Sequence, residues 1–262
     1  MYPELFTIPF LDWPISSFGA AMATAFLVGY RIALPRMQEE GLDPEDTANM
    51  LIWIMFGGVV GAKLYYAIDF SIRLPEVHFW SAFLSRAGMV FYGGLMGGAL
   101  AGLAGCRYFK IPTIAFANVV CIPLAVGQAI GRIGCFLVGD DYGRATDLPW
   151  GIAFPQGLPP VDFPVHPTML YETLWLSLAA VWLWRRRKTS PSLMGEYLVL
   201  NGMGRTVIEH WRLNARVALD LSEAQWIGIG LVVFGGLLLL LGARRSGADQ
   251  PPGSGRAVSS RS

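Results

Sequence analysis

Apolar residues in this chain come in blocks, at residues 17–34, 49–70, 88–108, 112–138, 168–184, 193–211 and 224–243. A helix needs about 20 largely apolar residues to cross the hydrocarbon core of a bilayer, so the pattern predicts an all-α polytopic membrane protein with seven transmembrane helices. Most connections are short. Residues 35–48 are acidic with Gly41 and Pro44, and a basic turn after Trp184 ends at Pro191. The connection at 139–167 is different: it holds Asp140, Asp141, Asp147 and Asp162 among many Pro and Gly residues. A loop of that length is functional or disordered, and Trp150, Phe154 and Phe163 argue for order. The end of the chain, 246–262, reads "SGADQPPGSGRAVSSRS". Its composition cannot form a core, which leaves a transmembrane domain at 1–245 and a disordered tail.

Composition agrees with the pattern. Of 262 residues, 53% are hydrophobic and 15% charged, and the mean hydropathy of +0.45 does not suit a water-soluble globule. Net charge is +1 and says little; its distribution says more. Arg31, Arg36, Arg107, Lys110, Arg185, Arg186, Arg187, Lys188, Arg244, Arg245, Arg256 and Arg261 fall on one side of the predicted spans, against Arg73, Arg86, Arg144, Arg212 and Arg216 on the other. Excess Lys and Arg mark the cytoplasmic side. The N-terminus and the long loop are thus expected outside, and the C-terminal tail in the cytoplasm. The first span has no basic stretch before it and reads as a retained helix rather than a signal peptide. Cys106, Cys121 and Cys135 cannot all pair, so disulfides are not expected to organise the fold. No metal-ligand spacing, phosphate loop or dinucleotide fingerprint occurs, and neither a metal, a cofactor nor a nucleic-acid partner is expected. The pairs at Gly57, Gly93, Gly97 and Gly235 read as close helix contacts.

Three cations fall inside predicted spans: Lys63, Arg132 and Arg205. With a rise of about 1.5 Å per residue, all three lie about 9–10 Å below the outer ends of their helices, and Tyr92 lies about 6 Å in. Charge at that depth is costly unless it is paired or hydrated, and is commonly functional. Arg205 can pair with Glu209 at i+4, and Glu172 can neutralise Arg132. Two carboxylates against three cations still leave an excess of positive charge that a bound anion would repair. A phospholipid headgroup is the anion that reaches such a site. Two arginines can grip its phosphate bidentately, with Lys63 as a point charge.

"GRIGCFLVGDDYGR" at 131–144, "DLPWGIAFP" at 147–155, "HPTMLYE" at 166–172 and "GMGRTVIEHWR" at 202–212 together resemble the signatures of the bacterial prolipoprotein diacylglyceryl transferases, over nearly the whole chain and in order. "GGVVGAKLYY" and "FYGGLMGG" match more loosely. The resemblance implies seven spans in the bacterial inner membrane and a site opening toward the outer leaflet. It also implies a reaction in which phosphatidylglycerol gives its diacylglyceryl group to the lipobox cysteine of a prolipoprotein signal peptide. In that site Arg132, Arg205, Tyr92 and His166 are the expected catalytic residues. Lys63, Gly93, Gly94, Cys135, Asp140, Gly143, Tyr171, Glu172, Glu209 and Arg212 join Arg132 in binding substrate. The chain departs from the family pattern where Tyr92 stands for His, Cys135 for Asn, Asn201 and Phe18 for Tyr, and Asp140 for Glu. Leu213 and Asn214 replace a Pro-Asp pair. The phosphate grip is therefore retained while the thiol side is altered. His166 is expected either to orient the fifth span or to move a proton, and Cys135 to be either a small apolar contact or a nucleophile. Two other readings remain: a phospholipid-dependent transferase with a different acceptor, and a transporter of small anions.

Overall fold

Asp43 starts the longest helix among the described residues, its carboxylate accepting from the Glu45 backbone N–H at 2.7 Å with Pro44 in the first turn. This combination satisfies orphan donors and presets the first helical φ. The computed structural model describes residues 2–8, 13–74, 76, 78–85, 88 and 90–248. Along them run β1 (Glu4–Ile8), β2 (Trp13–Ser16), α1 (Ser17–Glu39), α2 (Pro44–Arg73), α3 (Phe79–Leu84), α4 (Phe91–Tyr108), α5 (Thr113–Val138), β3 (Ile152–Phe154), β4 (Val161–Val165), α6 (Thr168–Arg186) and α7 (Leu193–Ile208). A 3-10 turn (Glu209–Trp211), β5 (Arg216–Ala218), β6 (Leu221–Ser222) and α8 (Glu223–Ala248) follow.

The fold is mostly helical, and each apolar block of the sequence falls largely on one helix: α1, α2, α4, α5, α6, α7 and α8. Among the described residues four helices are long and apolar enough to cross a membrane, namely α1, α2, α5 and Glu223–Arg244 of α8. Large apolar side chains such as Leu27, Phe56, Leu100, Leu178 and Leu240 are exposed on the helices, as expected of surfaces that meet lipid or another apolar partner. The short α3 and three two-stranded antiparallel ribbons were not legible in the sequence. Helix α8 runs past the expected end of the membrane domain to Ala248; residues 249–262 of the expected tail lie outside the described residues.

The chain forms two compact units, one from Tyr30–Val120 and the other from Met1–Gly29 with Cys121–Ser262. In the first, α2 and α4 approach through glycine. A Cβ on Gly61 would lie 2.3 Å from the Gly93 carbonyl oxygen, and one on Gly97 2.3 Å from that of Gly57, so only hydrogen fits at this crossing. Met37, Met50, Cys106, Phe116 and Val119 form its apolar core.

In the second unit α7 lies along α8, and the Trp175 indole on α6 donates to the Leu200 carbonyl at 2.8 Å. Ser192 caps α7 by accepting from the Gly195 N–H. The long loop is ordered: β3 pairs with β4 through Ile152–Val165 and Phe154–Val161. Phe154 is wholly buried with the Tyr142 ring stacked at 5.5 Å. Cys135, Val161, Val165 and Met169 complete this small core, which fixes the loop against the end of α5 and the start of α6.

Candidate active site

Arg132 on α5, Glu172 on α6 and Arg205 on α7 come together in the second unit. Arg205 Nη1 lies 2.7 Å from Glu172 Oε1, and Arg132 Nε is ion-paired with Glu172 Oε2. Arg205 Nη2 reaches Glu209 Oε2 at 3.3 Å, one helical turn on. Arg212, almost fully buried, contributes a third guanidinium: Nη1 is 3.1 Å from Glu172 Oε1 and Nε is 3.7 Å from Glu209 Oε2. Asp141 closes the network from the loop, accepting from Arg132 Nη1 at 2.6 Å and pairing with Arg212 Nη2. Burial pushes the Asp141 carboxyl up, but Arg212 and Arg132 outweigh it and hold the group below the usual carboxylate range. Glu172 is the hub, a buried acid touching all three arginines.

The backbone brings the loop to this hub. After α5 the chain turns at Gly139 (φ 76°) and Asp141 (φ 65°), and the Asp141 carbonyl accepts from Thr168 Oγ1 at 2.7 Å. Gly143 N–H donates to the His166 carbonyl at 2.8 Å, and Arg144 N–H to the Trp211 carbonyl at 2.9 Å. A Cβ on Gly143 would sit 2.4 Å from the Trp211 oxygen and 2.9 Å from His166 and Thr168 side-chain carbons. Glycine is what lets three segments meet here.

Beside the cluster, Trp150 Nε1 donates to the Tyr171 hydroxyl at 2.8 Å, which lies 3.1 Å from His166 Nδ1. Burial, helped by the Arg144 charge, lowers the His166 pKa from its ordinary 6.5, so the imidazole is neutral at pH 7. Trp150, Ile152, Pro167, Leu170, Tyr171 and Leu174 line a cavity of about 510 Å³. Its one hydroxyl is that of Tyr171.

Of the residues expected from sequence, Arg132, Arg205, Glu172, Glu209, Arg212, Gly143, Tyr171 and His166 therefore gather in one unit. Cys135 and Asp140 lie alongside. Cys135 packs in the apolar core under Phe154, with Sγ 4.0 Å from Arg132 Nη1. Asp140 donates its N–H to the Cys135 carbonyl, keeps Oδ1 buried without a hydrogen-bond partner among the described residues, and has its carboxyl pKa raised by that burial. Lys63 belongs to the other unit, where its Nζ donates to the Ser85 carbonyl at 2.6 Å. Gly93 and Gly94 are there too, facing α2. Tyr92 opens α4, and its side chain lies outside the described residues.

One expectation is corrected. The sequence count left positive charge in excess, with Lys63, Arg132 and Arg205 facing two carboxylates. The assembled cluster has three guanidiniums and three carboxylates, because Asp141 and Arg212, read as loop charges, fold inward. Both pairings anticipated for Glu172 and Glu209 form at once. Asp141 and Trp150 are the members that sequence reasoning left out of the site. Only the acidic "GDDYGR" and the aromatic of "DLPWG" signalled them.

A family model described as prolipoprotein diacylglyceryl transferase matches residues 3–241. Three similar proteins bear the name phosphatidylglycerol–prolipoprotein diacylglyceryl transferase. That of Synechococcus elongatus is 32% identical over 252 residues, covering 88% of this chain and 86% of the relative. That of Clostridium tetani is 30% identical over 245 residues, covering 90% and 95%. That of Clostridioides difficile is 31% identical over 226 residues, covering 84% and 88%.

Proposed function

The chain belongs to the prolipoprotein diacylglyceryl transferase family, and on that footing we propose that it transfers the diacylglyceryl group of phosphatidylglycerol to the thiol of a prolipoprotein's lipobox cysteine. The sulfur forms a bond to the glycerol carbon that bears the phosphate. The carbon–oxygen bond to that phosphate breaks, and glycerol phosphate leaves with the electron pair. Stabilising the departing phosphate is the main task of such a site.

The observation that carries this reading is the pair of arginines held on separate helices by one buried carboxylate. Arg132 and Arg205 are each about a quarter exposed, and Arg132 Nη2 and Arg205 Nε have no hydrogen-bond partner among the described residues. Both therefore keep donors to offer an anion, in a geometry that their carboxylate partners fix. The Tyr171 oxygen, at the cavity wall, takes the acceptor's thiol proton while passing its own to neutral His166. The cavity beside it receives the apolar part of a substrate. His166 is thus the proton's destination, Arg212 joins the grip from the buried side, and Asp140, Gly143, Glu172 and Glu209 hold it in shape.

In this reading the seven apolar helices α1, α2, α4, α5, α6, α7 and α8 cross the bacterial inner membrane, with the N-terminus and the 139–167 loop outside and the tail in the cytoplasm. The cluster then opens toward the outer leaflet. Lys63, Tyr92, Gly93 and Gly94 are assigned to the lipid-binding side. The relatives favour neither a different acceptor nor anion transport. The test is rescue of a bacterium depleted of its own transferase: the wild-type chain should restore lipoprotein modification, and Arg132→Ala and Arg205→Ala should not. Full rescue by both variants would refute the phosphate grip.

A further inference from the structure

The three carboxylates of the cluster are not equivalent. Glu172 and Glu209 are 7% and 1% exposed, and Glu209 Oε1 is held further by Ser222 Oγ at 2.8 Å and Asn214 Nδ2 at 2.6 Å. Asp141 is 40% exposed, and among the described residues its carboxylate pairs with Arg132 and Arg212 alone. Its main chain is pinned by the Thr168 hydroxyl in the left-handed conformation, which Asp tolerates better than most residues. The side chain can therefore leave the arginines by rotation about its own bonds, with no movement of the loop.

Charge points the same way. With Asp141 in place, three guanidiniums face three carboxylates. With it rotated out, the ion-paired groups number three against two, and a phosphodiester monoanion supplies the negative charge that Asp141 has taken away. A carboxylate spanning two guanidiniums also reproduces the fork geometry by which arginines hold phosphate oxygens. Burying arginines short of counter-charge is costly, and without Asp141 both Arg132 and Arg212 would depend on Glu172 and Glu209, so an anion at this place is favoured before substrate arrives.

We propose that Asp141 is a displaceable stand-in for the phosphate: it fills the anion position between Arg132 and Arg212 in the empty enzyme and yields it to the phospholipid headgroup. Asp141 thereby sets the affinity for the donor lipid. This rests on the phosphate-grip reading above and adds a competitor inside it. An anion that must wait for a minor state binds more weakly by the fraction of time that state is populated; if Asp141 is out about a tenth of the time, removing its charge tightens binding about tenfold.

The experiment uses the purified full chain in detergent micelles and two readouts. Glycerol phosphate binding is measured by calorimetry on the wild type and on Asp141→Asn, and transfer to a lipobox peptide is measured against the mole fraction of phosphatidylglycerol. Tighter glycerol phosphate binding by Asp141→Asn, with a lower KM for the lipid, is the expected result. Unchanged or weaker binding overturns the inference, since an Asp that merely orients Arg132 would lose affinity when neutralised. If glycerol phosphate binds more tightly to the variant but neither protein transfers lipid, the competitor stands and the transferase reading falls. Should Asp141→Asn not fold, carboxyl-carbon NMR of the wild type with labelled aspartate replaces it. The Asp141 resonance must move on saturation with glycerol phosphate, and a resonance that stays in place overturns the proposal.

Discussion

The Tyr171 hydroxyl sits between an indole that can only donate and an imidazole nitrogen that can accept. Its oxygen accepts from Trp150, its own proton therefore goes to His166 Nδ1, and the second imidazole nitrogen carries the ring proton. Tyr171→Phe keeps the ring at the cavity wall and removes the relay, so kcat should fall about a hundredfold, the scale of one positioned proton transfer, with little change in KM for the lipid. Acidification should act on the same pair. The folded His166 pKa lies below its ordinary 6.5, so the unfolded chain binds the proton more readily. The stability and the proton-accepting capacity it contributes are complete above pH 6.5 and are lost as pH falls through the lowered value. A kcat/KM profile should show its acid limb below 6.5, and Arg144→Gln, which removes the second cause of the shift, should move that limb upward. Glu172→Gln tests the hub: leaving arginines short of a buried counter-charge should cost about 3–5 kcal/mol, read as a lowered Tm in detergent, together with loss of transfer.

At the scale of elements, glycine decides how closely helices pack, and neighbouring positions differ sharply. A Cβ on Gly97 would meet the Gly57 carbonyl oxygen at 2.3 Å, whereas one on Gly98 comes no nearer than 3.7 Å to anything on α2. Gly97→Ala must push α2 and α4 apart and should cost about 1–3 kcal/mol, while Gly98→Ala should leave the Tm in detergent within a degree or so, since it adds no clash and favours helix. The helices and these contacts were legible in the sequence because block hydropathy and small-residue pairs are local properties. The ribbons were not. β3 is only Ile152–Phe154, too short for an alternating pattern to show, and its stability comes from the Phe154 ring meeting Tyr142 and Phe136. The ion cluster was half legible. Depth along a helix put Lys63, Arg132 and Arg205 at similar distances from their helix ends, but it carries no information about which way a helix faces or which unit it belongs to: Arg132 and Arg205 meet on Glu172, while Lys63 belongs to the other unit. Asp141 was hidden for a different reason: a left-handed turn carries a residue of the loop back over the helix it has just left, and no spacing rule records that.

The whole molecule is held to one orientation in the proposed reading by the uneven distribution of Lys and Arg, and the folded chain offers a clean way to ask about it. Asp162 lies exposed on β4, in the loop assigned to the outside. Lys188 is exposed in the turn between α6 and α7, on the side assigned to the cytoplasm. The native thiols Cys106, Cys121 and Cys135 are all buried, so a membrane-impermeant maleimide should find little to label in the wild-type chain within intact cells. Asp162→Cys should be labelled in intact cells, and Lys188→Cys only after the membrane is opened. Reversed labelling would place the arginine cluster, which is tied to the 139–167 loop through Asp141 and Gly143, on the cytoplasmic side. A precursor whose lipobox cysteine emerges at the outer surface could then not reach it. Labelling of both positions in intact cells would mean that α6 does not cross at all. Its two ends would share one side, and the outer-leaflet route of the phospholipid to Arg132 and Arg205 would be lost with it.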